Sequence, residues 1–255
     1  MPLTLTPLAG LPLIQAGDDL AKIIAQGLSL NSIMLLDGDI LVITSKVVSK
    51  AEGRLVKLDQ VVPSPRSIEL ASKTEKDPRL VELILGESKQ VLRTRPGVLI
   101  VEHRLGFVCA NAGIDHSNVC SPGGKEGEWL LLLPENPDLS ALSIRQKLEA
   151  INGSRIGVMI IDSHGRAWRM GTVGVAIGLS GLPGLVDLRG TEDLFGFRLQ
   201  ITQVGAADEL AAAASLIMGQ AAEGTPVVHV RGFPYALREA CLEEMIRFRD
   251  QDLFR

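Results

Sequence analysis

Apolar positions recur along this chain in short blocks, and the spacing within each block predicts the element it builds. Leu8 to Ile14 is an apolar run punctuated by Gly10 and Pro12, and Gly17-Asp18-Asp19 supplies a helix N-cap before Leu20, Ile23, Ile24 and Leu28 at helical spacing. Asp37-Gly38-Asp39 reads as a turn, and Ile40-Leu41-Val42-Ile43 as a buried interior strand. Ser64-Pro65 and Asp77-Pro78 each set a capping side chain before proline, predicting helices over about Arg66 to Lys73 and Arg79 to Leu85. The chain then turns β-rich, with Val91 to Arg93, a turn at Arg95-Pro96-Gly97, Val98 to Val101, and Phe107 to Cys109. Trp129 to Leu133 predicts a strand, Leu139 to Ile151 a helix, and Val158 to Ile161 a strand that ends on Asp162. Ala207 to Met218 is Ala-rich, carries Asp208 and Glu209 in its first turn, and is closed as a helix by Gly219. Pro226 to Gly232 reads as a final buried strand, and Leu237 to Arg249 as a last helix with its charges facing solvent.

These elements predict an α+β fold, with mixed β-sheets flanked by helices. The plausible seam is the Gly-rich stretch at 121–125, so residues 1–255 read as one unit of two intimately packed lobes. Hydrophobic residues make up 46% of the 255, ample for a core, while aromatics are only 4%. Aliphatic side chains must fill the interior. With a net charge of -4 and no Lys/Arg cluster, the chain offers no nucleic-acid footprint. The three cysteines, Cys109, Cys120 and Cys241, lack CxxC spacing and an even count, which predicts reduced thiols in a cytoplasmic protein. No apolar run approaches the roughly 20 residues of a membrane span, so no membrane partner is expected.

Chemistry concentrates in two places. Asn111-Ala112-Gly113-Ile114-Asp115-His116-Ser117-Asn118 follows one apolar run, and Asp162-Ser163-His164-Gly165-Arg166 follows another. Two strand-end aspartates can share a hard cation, and oxygen donors without a His/Cys cluster select Mg²⁺ or Mn²⁺ over zinc. Upstream of both, Thr44-Ser45-Lys46-Val47-Val48-Ser49-Lys50 sits directly behind a strand. On a helix, Lys46 and Lys50 share one face, where they either hold a phosphate beside Ser45 or form a solvated surface with Glu52. Arg166 and Arg169 can pair with carboxylates or with a transferring phosphoryl group. The glycines from Gly171 to Gly181 allow close approach of a ligand, another chain, or simply a packed neighbour. Arg93, Arg95, His103 and Arg104 add positive charge around the central strands, either for an anionic substrate or as ordinary surface charge. A cation amid basic residues points to phosphoryl transfer or hydrolysis. Gly123-Gly124-Lys125 is not a P-loop, because no glycine precedes Gly124 by five residues and Glu126 stands where Ser or Thr should hold magnesium.

Several motifs, in order, resemble the coenzyme F420:L-glutamate ligase family, also called F420-0:γ-glutamyl ligase. They are Leu8 to Pro12 with Gly17 to Asp19, Asp37 to Arg54, Asn111 to Asn118, Asp162 to Arg166 with Trp168 and Arg169, Gly174 to Gly181, Ala207 to Ala211, and Pro226 to Gly232. The resemblance implies a GTP-dependent ligase that adds L-glutamate to the carboxylate of F420-0 or a related deazaflavin precursor, and then further γ-linked glutamates. A carboxylate is a poor electrophile, so phosphorylation to an acyl phosphate would precede attack by the amine, releasing GDP and phosphate. By position, Asp115 and Asp162 resemble the family's metal ligands and catalytic centre together with Lys50; Ser163 resembles a neighbouring metal ligand and Gln220 a ligand of a second metal. Leu11, Pro12, Leu13, Ile14, Ser45, Lys46, Lys50 and Asn118 match nucleotide-contacting positions, as does the loop Met218, Gly219, Gln220, Ala221, Ala222, Glu223, Gly224 and Thr225. The implied cations are Mg²⁺ or Mn²⁺, with K⁺ as a further candidate. His164 departs from many relatives, which carry an aromatic residue there. The family forms intertwined homodimers, and some bacterial members add a reductase-like domain, which is not expected in a chain closing at Arg255. A metal-dependent phosphatase and a non-catalytic nucleotide-binding module are the alternatives.

Overall fold

The computed structural model describes residues 2–117, 119 and 128–252. In chain order the elements are β1 (Thr4–Pro7), α1 (Leu20–Leu30), β2 (Ile40–Thr44), α2 (Ser45–Ala51), β3 (Leu55–Lys57), α3 (Pro65–Thr74), α4 (Pro78–Gly86), β4 (Ser88–Arg95), β5 (Val98–His103) and β6 (Val108–Ala110). Then follow β7 (Trp129–Leu131), α5 (Pro137–Asn152), β8 (Gly157–Arg166), β9 (Arg169–Ser180), β10 (Val186–Asp187), β11 (Gln203–Val204), α6 (Ala206–Met218) and β12 (Val227–Arg231). This is the mixed α+β architecture the patterning predicts. The proposed seam at 121–125 lies outside the described residues.

The central sheet has the order β1-β12-β2-β8-β9. β2 and β8 are parallel, and the other neighbours are antiparallel. Continuous apolar strands are buried on both faces, which is why Ile40 to Ile43 and Val158 to Ile161 show no alternation in sequence. Leu41, Ile43, Val158 and Ile160 pack on one face with α1 and α5, while Ile40, Val42, Met159 and Ile161 pack on the other against α6. A separate cluster of Leu99, Val101, Val81, Ile84 and Cys109 joins the β4-β5-β6 sheet to α3 and α4. The two proline-led helices start where their caps predict, with Ser64 Oγ accepting from Ser67 N and Asp77 Oδ1 from Arg79 N. α5 starts at Pro137, earlier than its apolar pattern suggests, because Asn136 caps Leu139 N at 3.1 Å and Pro137 fills the first helical position.

Several expectations are corrected. Asp162 does not end its strand, since β8 runs on to Arg166 and hairpins into β9. Only the parallel pairing with β2 stops at Ile161. No helix forms over Leu237 to Arg249, where short 3-10 turns stand at Leu242–Met245 and Arg249–Gln251. Side chains hold that strap instead: Asp138 accepts Leu242 N at 3.1 Å and Glu244 accepts Gly184 N at 3.0 Å. Leu242 is its buried anchor, and Leu237 and Met245 pack partly buried against the core. Asp19 occupies the N-cap position of α1 without a side-chain capping bond, and its carboxylate pairs with Lys147 at 3.1 Å. β1, and the excursion between β10 and β11, carry no distinct sequence pattern. In β9, a Cβ at Gly174 would fall 2.6 Å from Ala211 O, and one at Gly178 would fall 2.5 Å from the Pro137 carbonyl carbon. These two glycines serve the seating of α6 and α5 on the sheet.

Candidate active site

The sheet order brings four chain segments to one edge. β2 and β8 finish their pairing at Thr44 and Ile161, so Ser45 and Asp162 follow side by side. β12 is antiparallel to β2 and begins at the same edge, where Pro226 O accepts Thr44 N at 3.0 Å. The loop from Gly219 to Thr225 enters there. β1 also ends there, with Leu8 N donating to Val227 O at 2.9 Å, and releases the Leu11 to Ile14 segment towards α1. The open end of a parallel strand pair, where ligands collect in α/β sheets, thus carries the segments singled out by motif.

Asp115 reaches this edge from the other side. It follows a 3-10 turn at Asn111–Gly113 and is locked to β7 by reciprocal backbone bonds with Leu131, both 2.9 Å. Ala112 is held in the left-handed region at φ 54°, a strain of about 1–2 kcal/mol. Asn111 Oδ1 accepts Leu99 N at 3.0 Å and so fixes the turn.

Asp162 Oδ1 accepts the Ser45 hydroxyl at 2.7 Å, and Oδ2 lies 3.0 Å from His164 Nε2. Lys46 Nζ lies 3.3 Å from Asp115 Oδ2 and donates to Ser117 Oγ at 3.0 Å. Both carboxyls are largely buried. Burial drives Asp115 up; Lys46 opposes this, while the charge on Asp162 adds to it. Burial also acts to raise Asp162, but His164, the Ser45 hydroxyl and the Ser163 backbone N–H outweigh it and hold that carboxyl below its ordinary range. Two neighbouring carboxylates pushed in opposite directions are characteristic of functional sites. Cys109 is close by, and burial together with Asp162 pushes its thiol up to about 12, so it remains a protonated apolar filler.

The four residues matched to metal positions fall into two pairs. Asp115 and Asp162 lie near enough for the charge on Asp162 to act on Asp115. Ser163, next along β8 and so on its other face, donates to Gln220 Oε1 at 3.0 Å, and Gln220 Nε2 in turn donates to Ser215 Oγ on α6 at 2.9 Å. The Met218 to Thr225 loop is closed on itself, with Thr225 Oγ1 donating to Met218 O and Ala221 N donating to Glu223. Leu11 and Ile14 pack partly buried against the core beside α1, while Leu13 is exposed. Lys46 and Lys50 do lie on one helix, and both charges act on Asp115. Asn118 lies outside the described residues.

Other candidates go elsewhere. Arg166 sits at the exposed β8–β9 tip, reaching the carbonyls of Met170 and Gly171 at 3.5 Å, and Arg169 pairs across from it, so neither arginine rings the aspartates. The reason is the extra length of β8, which carries them beyond the edge. Arg104 binds Glu87 at 2.9 Å, and His103 is buried beside the same carboxylate. Burial acts to raise Glu87, but His103, Arg104 and Arg54 hold it down at about 2, so these cations serve an internal network. Sequence reading missed Phe107, whose ring stacks on His103 at 5.0 Å and packs on His164 at 5.1 Å. It also missed the buried Asp39–His229–Arg231 cluster, although two polar residues in an otherwise apolar strand were a signal.

An α+β fold whose sheet edge gathers coupled carboxylates, a lysine and closed loops has the construction of an enzyme rather than of an inert scaffold. The family model for F420-0:gamma-glutamyl ligase matches residues 10–232, and the chain belongs to this family. It is 46% identical to a coenzyme F420:L-glutamate ligase of Methanothermobacter thermautotrophicus, over 100% of both chains. A Methanopyrus kandleri protein of the same name is 47% identical over 95% of this chain and 93% of its own length. One from Archaeoglobus fulgidus is 44% identical over 98% and 95%.

Proposed function

We propose that this chain is a GTP-dependent amide ligase. It adds L-glutamate to the carboxylate of F420-0, and then further γ-linked glutamates, during coenzyme F420 biosynthesis. The observation that carries the reading is the meeting of Ser45, Lys46, Asp115 and Asp162 at one sheet edge in a member of this family. The donor chemistry suits a hard divalent cation: two neighbouring carboxylates, whose repulsion at Asp115 a cation would relieve. Asp115 and Asp162 would hold Mg²⁺ or Mn²⁺, and Ser163 with Gln220 a second ion. When bound, such ions neutralise phosphate oxygens and template the transfer.

The chain's own groups divide the remaining work. Ser45 binds one oxygen of Asp162, and the other pairs with His164, so the carboxylate is held in a fixed orientation. Lys46 and Lys50 supply positive charge on the phosphate side, and the Leu11 to Ile14 and Met218 to Thr225 segments border the space a nucleotide would occupy. Phosphorylating the acceptor carboxylate gives an acyl phosphate that the glutamate amine can attack, with GDP and phosphate as products.

A homodimer of two-lobed subunits belongs to the same reading. Leu194, Phe195 and Ile201 on the excursion between β10 and β11, with Trp168 and Met170 on the β8–β9 tip, are each at least 88% exposed. Apolar side chains in that number call for a covering surface. Among the described residues no helix is long and apolar enough to cross a membrane.

The decisive experiment measures phosphate release from GTP with Mg²⁺ or Mn²⁺, adding and omitting the deazaflavin acceptor and L-glutamate in turn and weighing the products. Release that needs both substrates, with an acceptor heavier by one glutamyl unit, is expected. Release indifferent to glutamate would identify a phosphatase instead.

A further inference from the structure

Arg93 and Arg95 take no part in the carboxylate site or in the Glu87 network. They stand two residues apart on β4, where pairing with β5 is regular: Arg93 lies opposite Ile100 and Arg95 opposite Val98. Strand alternation therefore puts both on one face of the β4-β5-β6 sheet, while Leu99 and Val101 fill the other against α3 and α4. With Val98, Ile100 and Ala110 they line a groove of about 410 Å³. Both arginines are exposed. Arg93 Nη1 donates to the Leu92 carbonyl at 2.8 Å, and among the described residues no carboxylate pairs with either guanidinium. Glu102, farther along the same face, lies 3.9 Å from Lys89. The groove is thus apolar along its base and positive along one wall. β6 is the outer strand of this sheet, and Asp115 follows Ala110 by five residues, a reach of at most about 18 Å.

We propose that this groove is the track for the growing γ-linked oligoglutamate tail of the acceptor, with Arg93 and Arg95 pairing with successive α-carboxylates. The inference rests on the reading of the chain as a ligase that adds further glutamates. Each unit of a γ-linked chain contributes five backbone bonds, a repeat of about 6 Å, together with one free α-carboxylate and a pair of methylenes. Residues two apart on a strand stand about 6.8 Å apart, so the two spacings agree. The methylenes suit a base of Val98, Ile100 and Ala110, and the guanidinium fork suits carboxylates. About three units span the reach from Asp115, so the arginines act on acceptors that already carry a tail. F420-0, which has no glutamate, does not need them.

The test measures kcat and KM on F420-0 and on the same acceptor bearing a preformed γ-linked triglutamyl tail. It compares the wild type with Arg93→Ala combined with Arg95→Ala, and with Arg93→Lys combined with Arg95→Lys. In the alanine variant, KM for the triglutamyl acceptor should rise on the order of tenfold, the scale of two exposed charge pairs together. Its kcat, and its KM for GTP and for F420-0, should stay at wild-type values. The lysine variant should recover part of the loss, because the charge remains while the planar fork is gone. In the wild type, the ratio of the two KM values should favour the tailed acceptor at low salt and lose that preference as salt rises, a readout that needs no variant to fold. An unchanged KM for the triglutamyl acceptor, an equal rise for F420-0, or a salt-independent ratio in the wild type would overturn the track and leave the ligase reading intact. So would a wild type that extends F420-0 but is neither served nor inhibited by the tailed acceptor. Wild-type protein that adds no glutamate to F420-0 would overturn both.

Discussion

Asp39 offers the sharpest test of how this fold is held. Its carboxylate is 1% exposed and accepts Leu36 N at 2.9 Å, His229 Nε2 at 2.8 Å, and Arg231 Nε and Nη2 at 2.9 and 2.7 Å. It thereby clamps the start of β2 to the end of β12. Asp39→Ala would leave a buried imidazole, a half-buried guanidinium and an N–H without their acceptor, at a cost of about 3–5 kcal/mol. In a chain of this size that lowers the melting temperature by roughly 6–20 °C. Burial acts to raise the Asp39 carboxyl, but the bonds from Arg231 and His229 outweigh it and hold the folded-state value below the unfolded one. Its stabilisation is therefore complete above the ordinary carboxylate range and is lost as pH falls through the lowered folded value. Urea unfolding from pH 7 down to pH 2 should show a shallower acid decline in Asp39→Asn than in the wild type. The cluster lies at the opposite end of β2 from Ser45, roughly 20 Å away at strand spacing, so turnover per folded molecule should be unchanged. A loss below about 1 kcal/mol for Asp39→Ala would refute the clamp on the scale of a buried ion pair. A fall in turnover beyond the loss of folded protein would refute its separation from the site.

Other outcomes follow from the same geometry. Asp162→Asn, which removes a ligand charge and little volume, should abolish metal-dependent GTP turnover with the circular dichroism spectrum unchanged; normal turnover would remove Asp162 from the site. In Gly178→Val the new Cβ would meet the backbone of Pro137 at 2.5 Å, and since that backbone cannot rotate away, a loss of about 3 kcal/mol in chemical denaturation is expected. Leu194→Ser combined with Phe195→Ser should shift the mass seen by light scattering from dimer to monomer, and an unchanged dimer would move the interface elsewhere.

The comparison between pattern and structure is uneven for physical reasons. The caps at Ser64 and Asp77, the Ala-rich α6 and the buried runs of β2, β8 and β12 were legible because their causes are local: one side chain against one backbone N–H, or a block of aliphatic residues. The strap at 237–249 was misread because what decides it lies far away, in Asp138 and the Gly184 backbone. The length of β8 was hidden for the same kind of reason. Polar residues beyond Ile161 look like a strand end, yet β9 continues to pair with them.

By itself, the order of residues determined the class of the fold, the family and the residue types that carry the chemistry, because local preferences and motifs are written in neighbouring positions. Tertiary structure alone decided which of those residues meet. Parallel pairing of β2 with β8 sets Ser45 beside Asp162 across 117 positions of sequence. Strand alternation sends Ser163 to Gln220 and leaves His164 facing Asp162. Such long-range contacts depend on sheet order and on burial of both sheet faces, quantities that belong to the packed chain and to no single stretch of it.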